Sequence, residues 1–153
     1  MFGNDREQIR RMFVTTWQRA RAGEDLEPLE ERIAGVIRDH PEYHALLEAP
    51  GATEREWTPE AGQENPFLHM GMHITIREQV AIDRPSGIRE AHTRLAQQMD
   101  SALKAEHAMM ESLGEILWEA QRNGQPPDEQ RYLADIRRRA GLATPTGKTP
   151  TGK

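Results

Sequence analysis

Six histidines and no cysteine set the chemistry available to this 153-residue chain. His69 and His73 lie four residues apart, and Glu111 lies four residues after His107. Residues at i and i+4 share one face of a helix, so each pair can present two ligands in one direction. Imidazole and carboxylate suit zinc or iron, whereas a chain without cysteine holds no thiolate metal site, iron–sulfur cluster or disulfide. The spacing therefore predicts a metal centre.

A third group of ligand types lies earlier in the chain, where His40, His44 and Glu48 recur at four-residue steps across Pro41. We expect His44 to approach the other histidines from a short helix. Glu111 is the favoured carboxylate because it lies one turn from His107, and Glu48 and Glu106 are reserves. The predicted metal ligands are His44, His69, His73, His107 and Glu111.

A buried polar network without metal is the alternative that the same residues allow. We expect His69, His73 and His107 to converge in the bundle interior. Their imidazoles cannot all be charged there, because burying a charge is costly. They are then neutral and either bind metal or hydrogen-bond one another and nearby carboxylates. Glu106 is the carboxylate that we expect to partner His73 or His92.

Apolar residues at helical spacing dominate the chain, and no stretch alternates like a strand. The fold class that follows is all-α, an antiparallel helical bundle of about four main helices plus short extra helices. One domain is expected over residues 1–140, with a disordered Thr/Pro/Gly/Lys tail over 141–153, where a pentapeptide occurs twice. The predicted helices begin near Asp5, Pro28, Pro41, Pro66 and Gly87 and after Pro127, with a break at Asp100–Ser101 as one option.

The apolar stripes also predict which aromatic residues lie in the core. Trp17 falls on the stripe of the first helix, and Trp118 directly follows Leu117 on the stripe of the long helix. We therefore expect both tryptophans to be largely buried.

Charge and hydropathy exclude several classes of partner. The net charge is −5, and residues 137–153 hold five basic residues and no acidic residue, so the rest of the chain is strongly acidic. An acidic body disfavours nucleic-acid binding, which needs a basic face. No apolar run reaches the length of a membrane span, and the N-terminus has no apolar signal core, so we expect a cytoplasmic protein.

Three segments carry a family pattern: His40-Pro41-Glu42-Tyr43-His44, Asn65 to His73 with Asp83-Arg84-Pro85 behind it, and Ala105-Glu106-His107 followed by Met109-Met110-Glu111 and Trp118. Together they resemble domain-of-unknown-function family 1841, an uncharacterised bacterial family. The resemblance implies a small cytoplasmic helical protein without an established activity. The His69/His73 and His107/Glu111 pairs also resemble, in pattern, those of hemerythrin-like di-iron bundles.

Two functions from different classes follow. The first is transition-metal binding through the inward His and Glu pairs, with zinc or iron as the cofactor. The second is a noncatalytic adaptor that holds an unidentified protein partner with its acidic surface and the loop around Trp57, over a metal-free polar network. The sequence leaves enzymatic activity and oligomeric state open. It does not support a hydrolase, because no nucleophile elbow or Ser–His–Asp order is present.

Overall fold

The computed structural model describes residues 2–54 and 65–143, with side chains from residue 7 onward. Over these residues all regular structure is helical and no strand occurs, which confirms the predicted all-α class. Within these two ranges, seven α-helices and two 3-10 helices follow one another. They are α1 (Phe2–Arg21), α2 (Pro28–Arg38), a 3-10 helix (Pro41–Tyr43), α3 (His44–Glu48), a second 3-10 helix (Ala52–Glu54), α4 (Pro66–Ile82), α5 (Ile88–Met99), α6 (Ala102–Asn123) and α7 (Glu129–Arg139).

The chain falls into two compact units, Met1–Ile74 and Thr75–Lys153, with the boundary inside α4. The single domain predicted for residues 1–140 stays a prediction. The repeated pentapeptides and Trp57 lie outside the described residues.

The first unit is built on α1, which packs against α2 and α3. Phe13 and Phe67 meet edge to face, with ring centroids 5.8 Å apart. This is a favoured arrangement of two aromatic rings. The buried core of this unit comprises Phe13, Trp17, Ile33, Val36, Ile37, Leu47, Phe67 and Met70.

The connection between α1 and α2 is held by charged side chains. The Glu30 carboxylate accepts the backbone N–H of Glu27 at 2.8 Å, which satisfies a donor that the start of α2 leaves open. Arg19 of α1 donates to Glu30 at 2.6 Å and to the carbonyl of Asp25 at 2.8 Å. These contacts fix where α2 begins, as its first-turn Pro28 predicts.

The second unit contains a break between α5 and α6, which is one of the two options that the sequence left open there. Asp100 ends α5 in the left-handed region (φ 56°), and the Ser101 hydroxyl accepts the N–H of Lys104 at 3.0 Å. A serine cap of this kind starts a new helix. The helices α5, α6 and α7 pack on one another. Each of them carries buried apolar side chains, namely Ile88, Leu95, Met109, Leu113, Leu133 and Ile136.

The two tryptophans differ in burial. Trp17 is 8% exposed, as predicted, but Trp118 is 58% exposed, so the prediction that it is buried was wrong. The buried face of α6 passes through Leu113 and Ile116 and leaves Leu117 and Trp118 outside. The Trp118 ring contacts the guanidinium of Arg122, whose central carbon lies 5.1 Å from the ring centroid.

No helix within residues 2–54 and 65–143 is long and apolar enough to cross a bilayer.

Candidate metal centre

Three histidines of the first unit form a cluster. Each of His40, His69 and His73 offers a ring nitrogen, and these nitrogens all lie within 4.8 Å of one another. Ring centroids are 4.6 Å apart for His40 and His73, 5.1 Å for His40 and His69, and 4.9 Å for His69 and His73. His40 and His73 are 1% and 0% exposed, and His69 is half-buried. The cluster therefore lies inside the unit, with His69 closest to solvent.

Two of these rings, those of His69 and His73, are carried by α4, whose start is set by Asn65 and Pro66. Asn65 accepts the N–H groups of Phe67 and Leu68 at 2.9 and 3.3 Å through its side-chain oxygen, and Pro66 opens the helix. Because His69 and His73 lie four residues apart on this helix, their rings project from one face. Their Nε2 atoms are 3.2 Å apart.

The separation of these nitrogens is the one that a shared metal ion requires. Two nitrogens bound 2.0–2.1 Å from a tetrahedral zinc ion lie about 3.3 Å apart. In the absence of metal, the same geometry lets one Nε2–H donate to the other Nε2. The His69–His73 pair thus suits both a metal centre and a polar network.

His40 comes from a different element, the junction between α2 and the first 3-10 helix. Its Nδ1 lies 2.8 Å from the carbonyl oxygen of Val36. A carbonyl only accepts hydrogen bonds, so Nδ1 carries the hydrogen and Nε2 keeps the lone pair that a metal needs. Burial lowers the pKa of His40 below its usual value, and the bond to Val36 opposes that shift. Burial therefore favours the neutral form of the ring, with Nε2 as its ligand atom.

His44 is oriented differently from the sequence expectation. Its ring packs on the indole of Trp17 at a centroid distance of 4.5 Å. Its Nε2 lies 2.7 Å from the carbonyl oxygen of Ile37, to which it donates. The reserve ligand Glu48 accepts from Nε1 of Trp17 at 3.0 Å and pairs with Arg21 at 3.2 Å. Both residues therefore serve the packing of α1 on α3.

The predicted ligand set includes His44 and not His40, and Pro41 is the sequence signal that separates the two residues. Counting in steps of four assumes one continuous α-helix. His40 instead has a non-helical backbone (φ −128°, ψ 66°) and precedes a 3-10 turn. A proline disfavours the α conformation of the residue before it, so His40 and His44 need not share a face.

The remaining predicted ligands lie on α6 in the second unit. His107 is exposed, and Glu111 is exposed and accepts from Arg139 at 3.1 Å. Their roles as metal ligands stay predictions.

A polar network does occupy the second unit. Glu106, only 6% exposed, accepts from Nε of Arg77 at 3.1 and 3.0 Å through its two carboxylate oxygens. The carboxylate predicted to partner His73 or His92 is thus paired with an arginine of α4. Burial lowers the pKa of His92, with the charge of Glu106 opposing the shift and that of Arg77 adding to it.

Fold and cluster together define an all-α protein with a buried group of histidines in its first unit. The chain belongs to the family described as a domain of unknown function (DUF1841), whose model matches residues 5–138, and this confirms the resemblance seen in the sequence. Neither a curated protein nor a solved structure is significantly similar to this chain.

Proposed function

We propose that this protein binds a transition-metal ion, zinc or iron, through the Nε2 atoms of His40, His69 and His73. The observation that carries the proposal is the gathering of three imidazole nitrogens within 4.8 Å of one another, two of them on fully buried rings. Neutral imidazole is the commonest protein ligand for such metals. The hydrogen bond from His40 to Val36 is the kind of outer contact that orients metal-binding histidines.

His107 and Glu111, the ligands that the sequence predicts on α6, are kept in the proposal as further ligands. Each is tested by its own alanine variant in the assay below. The cytoplasmic location that the sequence predicts is likewise part of the proposal.

The test is a thermal-unfolding titration of tag-free protein stripped with a chelator. A ligand that binds only the folded state stabilises it by mass action, by about 2.7 kcal/mol when its concentration is 100 times Kd. Added Zn²⁺ or Fe²⁺ should therefore raise Tm, with about one ion bound per chain, and a chelator should reverse the rise.

The matched variants are His73→Ala and His44→Ala, both in the first unit. His73→Ala should abolish the response to metal, because it removes a ligand. His44→Ala should keep the response, because its Nε2 is bonded to Ile37. A wild-type protein that binds neither ion, or equal loss in both variants, would contradict the proposal.

A second candidate is a noncatalytic interaction module with a metal-free core network. The 3.2 Å contact between His69 and His73 favours it, because one imidazole can satisfy the other without an ion. Under this alternative, metal leaves Tm unchanged, whereas His73→Ala still lowers Tm by removing a buried hydrogen-bonded group.

A further inference from the structure

We propose that Tyr43 is a positioning residue of the three-histidine centre, acting through its aromatic ring. This inference rests on the proposed metal-binding function and adds a residue to it. Tyr43 touches two of the three rings, and those two rings belong to different elements of the first unit.

Tyr43 contacts the rings of His40 and His69 in two different geometries. Its ring is parallel to that of His40, at an interplanar angle of 3° and a centroid distance of 5.6 Å. It meets His69 nearly at right angles, at 78° and 6.0 Å. Offset stacking and edge-to-face contact are the two arrangements that aromatic rings prefer. One half-buried ring thereby restrains a histidine of the α2 end and a histidine of α4 at once.

The local sequence explains why Tyr43 stacks on His40. Pro41 opens a 3-10 turn with its fixed φ, and the N–H of Tyr43 donates to the carbonyl of His40 at 2.9 Å. This hydrogen bond closes the turn between residues i and i+3 and so brings His40 and Tyr43 close together. The segment His40-Pro41-Glu42-Tyr43 therefore places the phenol ring beside the imidazole as a direct result of backbone geometry.

Two restraints then act on the His40 ring. The hydrogen bond from Nδ1 to Val36 fixes the tautomer and the direction of the ring. Stacking on Tyr43 restrains the rotation of the His40 ring about its Cβ–Cγ bond. A ligand whose rotation is already fixed loses less conformational freedom when metal binds, so metal affinity should depend on the Tyr43 ring.

The experiment measures Zn²⁺ affinity by competition with a chromophoric chelator, and records the visible spectrum of the Co²⁺-loaded full-length chain. Tyr43→Ala should weaken Zn²⁺ binding about 10–100-fold, the usual effect of losing an outer contact at a metal site, and should alter the Co²⁺ bands. Tyr43→Phe should retain wild-type affinity and spectrum, because it keeps the ring. If Tyr43→Ala does not fold, Tyr43→Leu keeps apolar volume without a flat ring and should show the same loss.

Leu46→Ala is the matched control. Leu46, like Tyr43, is partly buried against the core of the first unit. Truncating it should lower Tm while leaving Zn²⁺ affinity and the Co²⁺ spectrum unchanged. Equal loss of affinity in Leu46→Ala, wild-type affinity in Tyr43→Ala or Tyr43→Leu, or loss in Tyr43→Phe would overturn the positioning role. A wild-type chain that binds no Zn²⁺ would instead overturn the metal centre itself.

Discussion

Individual side chains at the cluster are distinguished by what holds each ring. His40 is fixed by the Val36 carbonyl, and His69 and His73 are fixed by each other on one helix face. His44, only four residues from His40, is held by Trp17 and Ile37 instead. Chemically identical residues therefore have different contacts, which depend on where each ring lies in the fold.

The tryptophans give a residue-scale prediction about stability. Trp17 is 8% exposed and Trp118 is 58% exposed. Trp17→Ala should lower the free energy of unfolding by about 3–5 kcal/mol, because it leaves a cavity in the core of the first unit. Trp118→Ala should cost less than about 1 kcal/mol, since it removes an exposed ring and its contact with Arg122. Urea unfolding of both variants checks this, and a larger loss for Trp118→Ala would refute the assignment of the α6 face.

At the scale of elements, helix ends decide how the chain is divided. The heptad-like spacing from Ile88 onward allows one long helix to Arg122. The chain instead stops at Asp100 and restarts after Ser101, whose hydroxyl accepts the N–H of Lys104. Periodicity alone does not mark this break, but the two residue types do, because Asp and Ser favour caps over helix interiors.

The Ser101 cap can be tested directly. Ser101→Ala leaves the N–H of Lys104 without its side-chain acceptor and should cost about 1 kcal/mol of unfolding free energy. Ser101→Asp should retain most of the wild-type stability, because a carboxylate also caps and favours a helix N-terminus. Paired denaturation curves measure the difference. Equal stability of the alanine and aspartate variants would show that α6 does not depend on this cap.

At the scale of the whole molecule, buried titratable groups link stability to pH. The pKa of His92 lies below its usual 6.5 in the folded state, chiefly because of burial, whereas the unfolded chain has the usual value. Below pH 6.5 the unfolded state therefore binds more protons than the folded state. The contribution of His92 to stability is present above this pH and is lost as the pH falls through the lowered pKa.

Urea unfolding in chelator at pH 8, 6.5 and 5 should then show stability falling with pH. His92→Gln should make the decline shallower, because it removes a group whose neutral form the folded state favours more than the unfolded state does. An unchanged slope in His92→Gln would contradict this assignment. His40 has a pKa shift of the same sign, so part of the decline should remain in the variant.

Local sequence patterns are enough to predict the helical class, the family and most helix boundaries. Hydrophobic spacing and breakers such as Pro28, Pro66 and Gly124 act locally, so they predict helices wherever the rest of the chain lies. The same spacing placed His69 and His73 on one face of α4. These inferences needed only the geometry of a single helix.

Tertiary structure decided which side of each helix is covered and which residues from separate elements meet. Spacing gives the relative angles of side chains on α6, but only packing against α5 and α7 leaves Trp118 outside and Ile116 inside. His40 joins His69 and His73 because a turn at Pro41 redirects the chain, which no single-helix pattern contains. Periodicity fixes directions within one helix, whereas contacts between elements depend on where the turns send the chain.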